Sequence, residues 1–295
     1  MPIDYQRLRS RRFADVVQAY GPRDCILYAL GLGLGHDPMD RAQLDYVYED
    51  GLRLLPTMAV VLGYGGFWQR EADTGIAWQS VVHGEQGLRI HRPLPVSGRV
   101  TGRTVIEEIV DKGAGRGAHV HTRRDLLDTD SGELLCSLTS NAISRADGGF
   151  GGPATGPSSP PPLPDSPPDR HLDFAIPPQA ALIYRLSGDD NPLHADPAVA
   201  RQAGFDRPIL HGLCSYGIAA YALLRMADGA DPDRLRRFDV RFSAPVYPGD
   251  VLRTELWTGD GATVRFRCTV PARGVTVLDR GLAELADPRE RAATA

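Results

Sequence analysis

Apolar and polar residues alternate most regularly in the last third of the chain, and this pattern predicts an antiparallel sheet. Four segments alternate or carry β-branched residues, with glycine-rich breaks between them, at residues 236–242, 251–257, 263–270 and 275–284. Residues 209–226 before them are almost wholly apolar or small, as expected of a helix that is buried on most sides. Together these patterns predict a long helix wrapped by a curved antiparallel sheet, which is an α+β arrangement.

Two short helices are predicted ahead of the long one. The first covers about residues 178–187, and Gly188 stands at its C-terminal cap position. In the second, the Asp-Pro pair at residues 196–197 provides the N-cap and the first turn, and Gly204 marks its end. The polar residues between these helices are therefore predicted to lie in a loop.

Three landmarks of the second half recur in the first half, in the same order. Each is a proline that opens an apolar or strand-like segment, and the offsets between the copies are 156, 152 and 150 residues. The pairs are Pro22 and Pro178, Pro56 and Pro208, and Pro95 and Pro245. A duplicated unit with small deletions explains this order, so each half is predicted to contain a short helix, a longer apolar helix and several strands.

The two halves are separated by a segment that favours neither helix nor strand. Of the 21 residues from 148 to 168, 16 are glycine, proline or serine, which is typical of a linker. The predicted N-terminal repeat therefore covers residues 1–147, and the predicted C-terminal repeat covers residues 169–295.

Composition excludes several classes of function. A net charge of -4 over 295 residues gives no basic surface for nucleic acid. The cysteines form no C-x-x-C pair, so no zinc or dithiol site is predicted. Apolar runs are too short to span a bilayer and the first residues lack a secretory signal, so a cytoplasmic location is expected and a membrane partner is not.

Residues 189–194 place a carboxylate, an amide and an imidazole close together, at Asp189, Asn191 and His194. Pro192 disfavours helical geometry at Asn191, so the loop must present these groups from an extended turn. A carboxylate and a histidine that share one water can add it to the conjugated double bond of an acyl thioester. By themselves, however, Asp, Asn and Pro are also ordinary turn residues.

Gly212 stands at the start of the buried helix, after His211. Backbone amides at a helix N-terminus suit the negative charge that develops on a thioester carbonyl during addition, and glycine does not obstruct the approach. We interpret His211 as a cap or a packed core histidine.

The residues around both segments resemble a known family. Residues 184–194 and 203–212 look like the hydratase 2 motif of the MaoC-like dehydratases, which have the hot-dog fold. The first half looks like the non-catalytic repeat of double hot-dog hydratases, in segments 28–31, 55–57, 83–86 and 111–113. The resemblance implies a double hot-dog fold of two repeats, each a long central helix wrapped by a curved antiparallel sheet. Residues 32–36 depart from the catalytic pattern, so one active site per chain is expected.

The resemblance also implies roles for individual residues. Asp189 and His194 would be the catalytic pair, Asn191 would support them, and the amide of Gly212 would polarise the thioester carbonyl. The residues expected to contact the acyl-CoA are His83, Gly84, Lys112, Asp190, Pro192, Leu193 and Phe242. Lys112 is the only lysine of the chain, and by itself it would read equally well as a solvated turn residue.

The expected activity is that of a (3R)-specific 2-enoyl-CoA hydratase, which is a hydro-lyase that works reversibly on an acyl-CoA partner in fatty acid metabolism. No metal and no cofactor beyond the CoA of the substrate are expected. Two alternatives stay open, an acyl-CoA thioesterase of hot-dog type and an acyl-thioester-binding partner subunit. A monomer and a homodimer of double units are both compatible with the sequence.

Overall fold

A computed structural model describes residues 2–157, 160–227, 231–259 and 262–286. In these residues ten strands form one antiparallel sheet. The strands of the first half are β1 (Val16–Tyr20), β2 (Val81–Ile90), β3 (Gly98–Asp111), β4 (Ala118–Asp128) and β5 (Leu134–Ser144). The strands of the second half are β6 (Arg170–Ala175), β7 (Leu235–Phe242), β8 (Val251–Thr258), β9 (Thr263–Val270) and β10 (Val275–Leu285).

The strand order is β1-β3-β4-β5-β2-β7-β10-β9-β8-β6, so each half contributes one continuous block of five strands. The blocks join where β2 pairs with β7, from Glu85 opposite Arg241 to Arg89 opposite Arg237. The duplicated units therefore share one sheet, as expected of a double hot-dog. Of the strands predicted in the second half, all four are present, and β6 is an additional strand at the edge.

Six α-helices lie in the described residues. They are α1 (Tyr5–Arg9), α2 (Pro22–Leu32), α3 (Arg41–Leu44), α4 (Ala180–Tyr184), α5 (Pro197–Gln202) and α6 (Gly212–Met226). The fifteen-residue α6 is buried along most of its length and is the predicted long helix of the second repeat. It begins three residues later than the apolar run, because His211 is its N-cap. The predicted short helices correspond to α4 and α5.

The prediction of a long central helix in the first repeat is wrong. Pro56 opens only a six-residue 3-10 helix, Pro56–Val61, and α2 is the longest helix of that repeat. The run that follows contains three glycines between residues 63 and 66, and Gly63 has a φ of 57°. Glycine is a poor helix former and left-handed backbone ends a helix, so the apolar run cannot continue as one.

Helices of the two repeats pack against each other at the centre of the molecule. A Cβ atom on Gly31 of α2 would lie 2.8 Å from the Cα atom of Tyr184, so only glycine allows this approach. The rings of Tyr28 and Tyr184, which correspond in the duplication, lie 5.8 Å apart. One apolar core contains buried residues from both repeats, and α2 thereby supports the segment that leads into the loop at residues 189–194.

Both ends of the predicted linker lie against the sheet. The carbonyl of Pro153 accepts a hydrogen bond of 2.8 Å from the amide of Asp111, and the carbonyl of Ser166 accepts one of 2.8 Å from the indole of Trp257. Between them, the carbonyl of Pro161 accepts from Arg265. Residues 158–159 of the linker and 287–295 of the predicted C-terminal repeat lie outside the described residues. The predicted boundaries of the repeats stay predictions. In the described part of the chain, no helix is long and apolar enough to cross a membrane.

Candidate active site

The loop from Asp189 to His194 is shaped by its own side chains. Gly188, with a φ of 117°, ends the turn after α4 in left-handed geometry. The Oδ1 atom of Asn191 accepts a hydrogen bond of 3.1 Å from the amide of Leu193 and so caps the 3-10 helix Pro192–His194. The structure therefore gives Asn191 a loop-forming contact, beside which its predicted support of the catalytic pair stays a prediction.

His194 is held in one tautomer. Its Nδ1 atom lies 2.9 Å from the carbonyl oxygen of Ile209, which can only accept, so Nδ1 carries the hydrogen. In the neutral ring, Nε2 then has a free lone pair. Burial lowers the pKa of His194, and the bond to Ile209 and the charge of Asp189 oppose that shift. The imidazole is therefore neutral near pH 7 and can accept a proton at Nε2.

His211 contacts both members of the predicted catalytic pair. Its Nε2 atom donates a hydrogen bond of 3.1 Å to the backbone carbonyl of Asp189. Its ring stacks on that of His194, with centroids 3.8 Å apart and planes inclined by 30°. Burial, and then the neighbouring His194, lower the pKa of His211 to about 3. The interpretation as a cap and buried residue is confirmed, but the sequence did not reveal these contacts.

The N-terminus of α6 forms the other side of the site. The first hydrogen bond within this helix runs from the amide of Cys214 to the carbonyl of His211, so the amide of Gly212 has no acceptor inside the helix. A Cβ atom on Gly212 would lie 3.1 Å from the ring of Phe242. That ring lies 4.7 Å from the ring of His83. Three predicted residues from separate elements thus meet.

A bulge in β2 directs His83 to this place. His83 pairs with Ala142 and Glu85 pairs with Asn141, so Gly84 is the extra residue. His83 and Glu85 consequently lie on opposite faces of the sheet although they are two positions apart. Gly84 itself packs tightly, since a Cβ atom there would lie 2.6 Å from the side chain of Ile143.

The other residues predicted to contact the acyl-CoA lie outside the cluster of Gly212, Phe242 and His83. Asp190 and Pro192 are exposed on the loop at residues 189–194, and Leu193 is half-buried. Lys112 lies at the start of the hairpin between β3 and β4, where its amide donates to the carbonyl of Gly117. Burial is the main cause that lowers the pKa of His119, and the charge of Lys112 adds to the shift. The contacts of the described residues do not connect Lys112 with the loop at residues 189–194.

Sequence reasoning missed a tyrosine that the first repeat contributes to this region. Partial burial of the phenol raises the pKa of Tyr64, of which 45% is exposed, and the charge of Asp189 adds to the shift, so that carboxylate is within electrostatic range. On its other side, the guanidinium of Arg124 lies 5.2 Å from the centroid of the Tyr64 ring. The available signal was a tyrosine placed inside the glycine-rich run at residues 63–66.

Asp189, His194 and His211 also offer donor atoms that lie within 4.8 Å of one another, as a metal site would. One nitrogen of each histidine is already bonded to a backbone carbonyl. Because a ring nitrogen's lone pair lies in the ring plane, two rings stacked face to face do not direct their lone pairs at one point. The arrangement suits acid–base chemistry better than a metal ion.

A duplicated antiparallel sheet, with an Asp–His loop beside the N-terminus of a buried helix, defines a double hot-dog protein with a candidate acid–base site. Residues 160–279 match the MaoC like domain, and residues 19–146 match the MFE-2 hydratase 2 N-terminal domain. The chain belongs to the MaoC-like dehydratase family, and it matches both domain models.

Relatives of similar length support this assignment. The chain is 38% identical over 273 residues to 3-hydroxyacyl-thioester dehydratase Y of Mycobacterium tuberculosis, covering 89% of this chain and 91% of that protein. It is 34% identical over 291 residues to the peroxisomal enoyl-CoA hydratase 2 of Arabidopsis thaliana, covering 92% of each. The crystal structure of a MaoC-like dehydratase from Phytophthora capsici has a TM-score of 0.84 at 29% identity, covering 97% of this chain and 99% of that one.

The predicted fold class is confirmed by a further structural likeness. A Mycobacterium tuberculosis protein described as having a double hotdog fold has a TM-score of 0.58 at 18% identity, covering 96% of this chain and 98% of that one. At this identity the likeness concerns the fold alone.

Proposed function

We propose that this protein is a (3R)-specific 2-enoyl-CoA hydratase, a hydro-lyase that adds water reversibly to trans-2-enoyl-CoA. The observation that carries the proposal is the tautomer of His194, whose Nδ1–H is engaged by Ile209. The free Nε2 atom and the carboxylate of Asp189 are thereby left as two acceptors for one water molecule. The names of relatives over most of the chain support the substrate class.

In the proposed reaction, Nε2 of His194 removes one proton from the water while Asp189 accepts a hydrogen bond from the other. The hydroxyl oxygen bonds to Cβ of the enoyl group, and the electron pair of the double bond moves through Cα to the thioester oxygen. Asp189 stabilises the imidazolium that forms. The imidazolium then returns its proton to Cα, so that one water is consumed and the enzyme is regenerated.

The negative charge on the thioester oxygen needs a donor that is already in place. The amide of Gly212 at the start of α6 supplies it, with the helix dipole aligned in the same sense. Phe242, which packs against Gly212, and His83 beside it are proposed to border the thioester. No redox step occurs, so the reaction needs no cofactor besides the CoA of the substrate.

The rest of the acyl-CoA is proposed to lie against Gly84 and the outer residues of the catalytic loop, Asp190, Pro192 and Leu193. Lys112 is proposed to bind a CoA phosphate or a carbonyl of the pantetheine arm, because an ammonium suits either. The first repeat, which lacks a long central helix, is proposed to receive the acyl chain.

The alternatives are less well supported. A thioesterase must direct its base or nucleophile at the thioester carbonyl carbon, whereas Asp189 and His194 are proposed to hold the water against Cβ of the enoyl group. A binding subunit has no need of a histidine that is fixed in a proton-accepting tautomer.

The chain is also proposed to act in the cytoplasm, although some relatives are named as peroxisomal.

The test is to supply trans-2-enoyl-CoA and follow the loss of conjugated-enoyl absorbance while measuring free thiol. Loss of absorbance without thiol is expected. Release of thiol would support the thioesterase, and no change in either signal would support the binding subunit. The reverse reaction, started separately from (3R)- and (3S)-3-hydroxyacyl-CoA, tests the stereochemistry, and turnover of the (3S) substrate alone would refute it.

A further inference from the structure

The buried ring of His211 connects the parts of the site whose relative positions matter for the proposed reaction. His211 is 1% exposed and lies between two other rings, 3.8 Å from His194 and 5.0 Å from Tyr184. Its Nε2 atom donates to the backbone carbonyl of Asp189, and the next residue along the chain is Gly212. The same imidazole therefore contacts the catalytic loop and the catalytic imidazole, and it adjoins the proposed oxyanion donor.

We propose that His211 is a positioning residue, which holds the main chain of Asp189 and the ring of His194 in place for hydration. This inference rests on the proposed function and deepens it. His211 itself exchanges no proton with the substrate, because its one hydrogen is bound to the Asp189 carbonyl.

Most of the surroundings of His211 favour the neutral ring, and only its hydrogen bond to the Asp189 carbonyl opposes the lowered pKa. The ring is buried between those of His194 and Tyr184, and burial, His194 and the charge of Arg185 all lower its pKa. The Nδ1 atom of His211 is buried and has no hydrogen-bond partner among the described residues. An unpaired buried acceptor destabilises a fold, and such costs persist where a residue is needed for function.

Two substitutions separate the two contacts of the ring. His211→Phe keeps an aromatic face against His194 but removes the donor to the Asp189 carbonyl. His211→Gln keeps an amide donor near the same place but removes the aromatic face. A residue that only fills the core would give two variants that differ in stability alone.

For His211→Phe, we expect kcat to fall by about 10- to 100-fold, because a catalytic group displaced by a fraction of an ångström loses its alignment. KM should change by less than about 3-fold, since the substrate contacts are retained. For His211→Gln, water gains access to His194, whose pKa then rises towards its ordinary value. The acid limb of the kcat/KM profile should move to higher pH by about half a unit or more, whereas that of His211→Phe should not move.

His36→Phe is the matched control. The Nδ1 atom of His36 also bonds to a backbone carbonyl, that of Gly33 at 3.1 Å, and its ring contacts Phe174 at 5.4 Å, but it lies outside the site. Its kcat and its pH profile should equal those of the wild type. Wild-type kcat in folded His211→Phe, or an unmoved acid limb in His211→Gln, would overturn the inference. If His211→Phe does not fold, the acid limb of the kcat/KM profile of His211→Gln decides whether the inference holds.

A measurement without substrate tests the same inference independently of activity. Nitrogen-15 NMR of the histidine rings in the full-length protein should show His211 as the neutral Nε2–H tautomer between about pH 5 and 8. Protonation of His211 in that range would overturn the inference. If the wild-type protein does not hydrate enoyl-CoA, the proposed function fails, while the NMR result still reports on His211.

Discussion

The burial of His211 predicts a specific loss of stability in acid. Its pKa is about 3 in the folded protein and 6.5 in the unfolded chain. Because the folded-state pKa lies below the unfolded-state value, the unfolded chain binds a proton first as the pH falls, and acid favours unfolding. The contribution is present above pH 6.5 and is lost progressively towards pH 3. Each pH unit in this range is worth about 1.4 kcal/mol, so the loss at pH 5 is about 2 kcal/mol.

The assay is urea unfolding at pH 7 and at pH 5 for the wild type and for His211→Phe. The difference in unfolding free energy between the two pH values should be smaller in His211→Phe, by about 2 kcal/mol. His36→Phe shows what the exchange of an imidazole for a phenyl ring does elsewhere in the chain. Equal pH dependence in the wild type and His211→Phe would show that this ring is accessible to protons, and the reasoning on its neutral state would be wrong.

Three further outcomes are expected. Asp189→Asn and His194→Ala should each reduce hydration by at least about 100-fold while the protein stays folded, because each removes one acceptor for the water; turnover at the wild-type rate in either variant would remove that residue from the mechanism. Gly31→Ala should lower the unfolding free energy by about 1–3 kcal/mol in urea titrations, since its new Cβ meets the backbone of Tyr184 and must force α2 and α4 apart; unchanged stability would mean that these helices can separate freely. Asp111→Ala leaves three loop amides without their shared carboxylate acceptor, so it should lower the unfolding free energy by about 1–3 kcal/mol in urea titrations. An unaltered urea midpoint would show that water replaces the carboxylate as acceptor.

Much of the second repeat was predictable from the sequence because its signals are local. Strand alternation placed β7 to β10, and Gly188 and Gly204 marked helix ends through their backbone freedom. The first repeat was harder. Its apolar run after Pro56 resembles the start of α6, but a glycine-rich segment stops it after six residues. The duplication was evident in spaced landmarks, whereas the loss of a helix from one copy depends on a few residues between them.

For the site, the sequence by itself determined the chemistry available, a carboxylate, an imidazole and a helix N-terminus within 24 residues. The tertiary structure decided which nitrogen of His194 is free, because the acceptor that fixes its tautomer is a carbonyl fifteen residues away. It also decided the role of His211, whose neighbours come from the loop and from α4. These properties depend on distances across the fold, and residue types and spacing along a chain do not specify them.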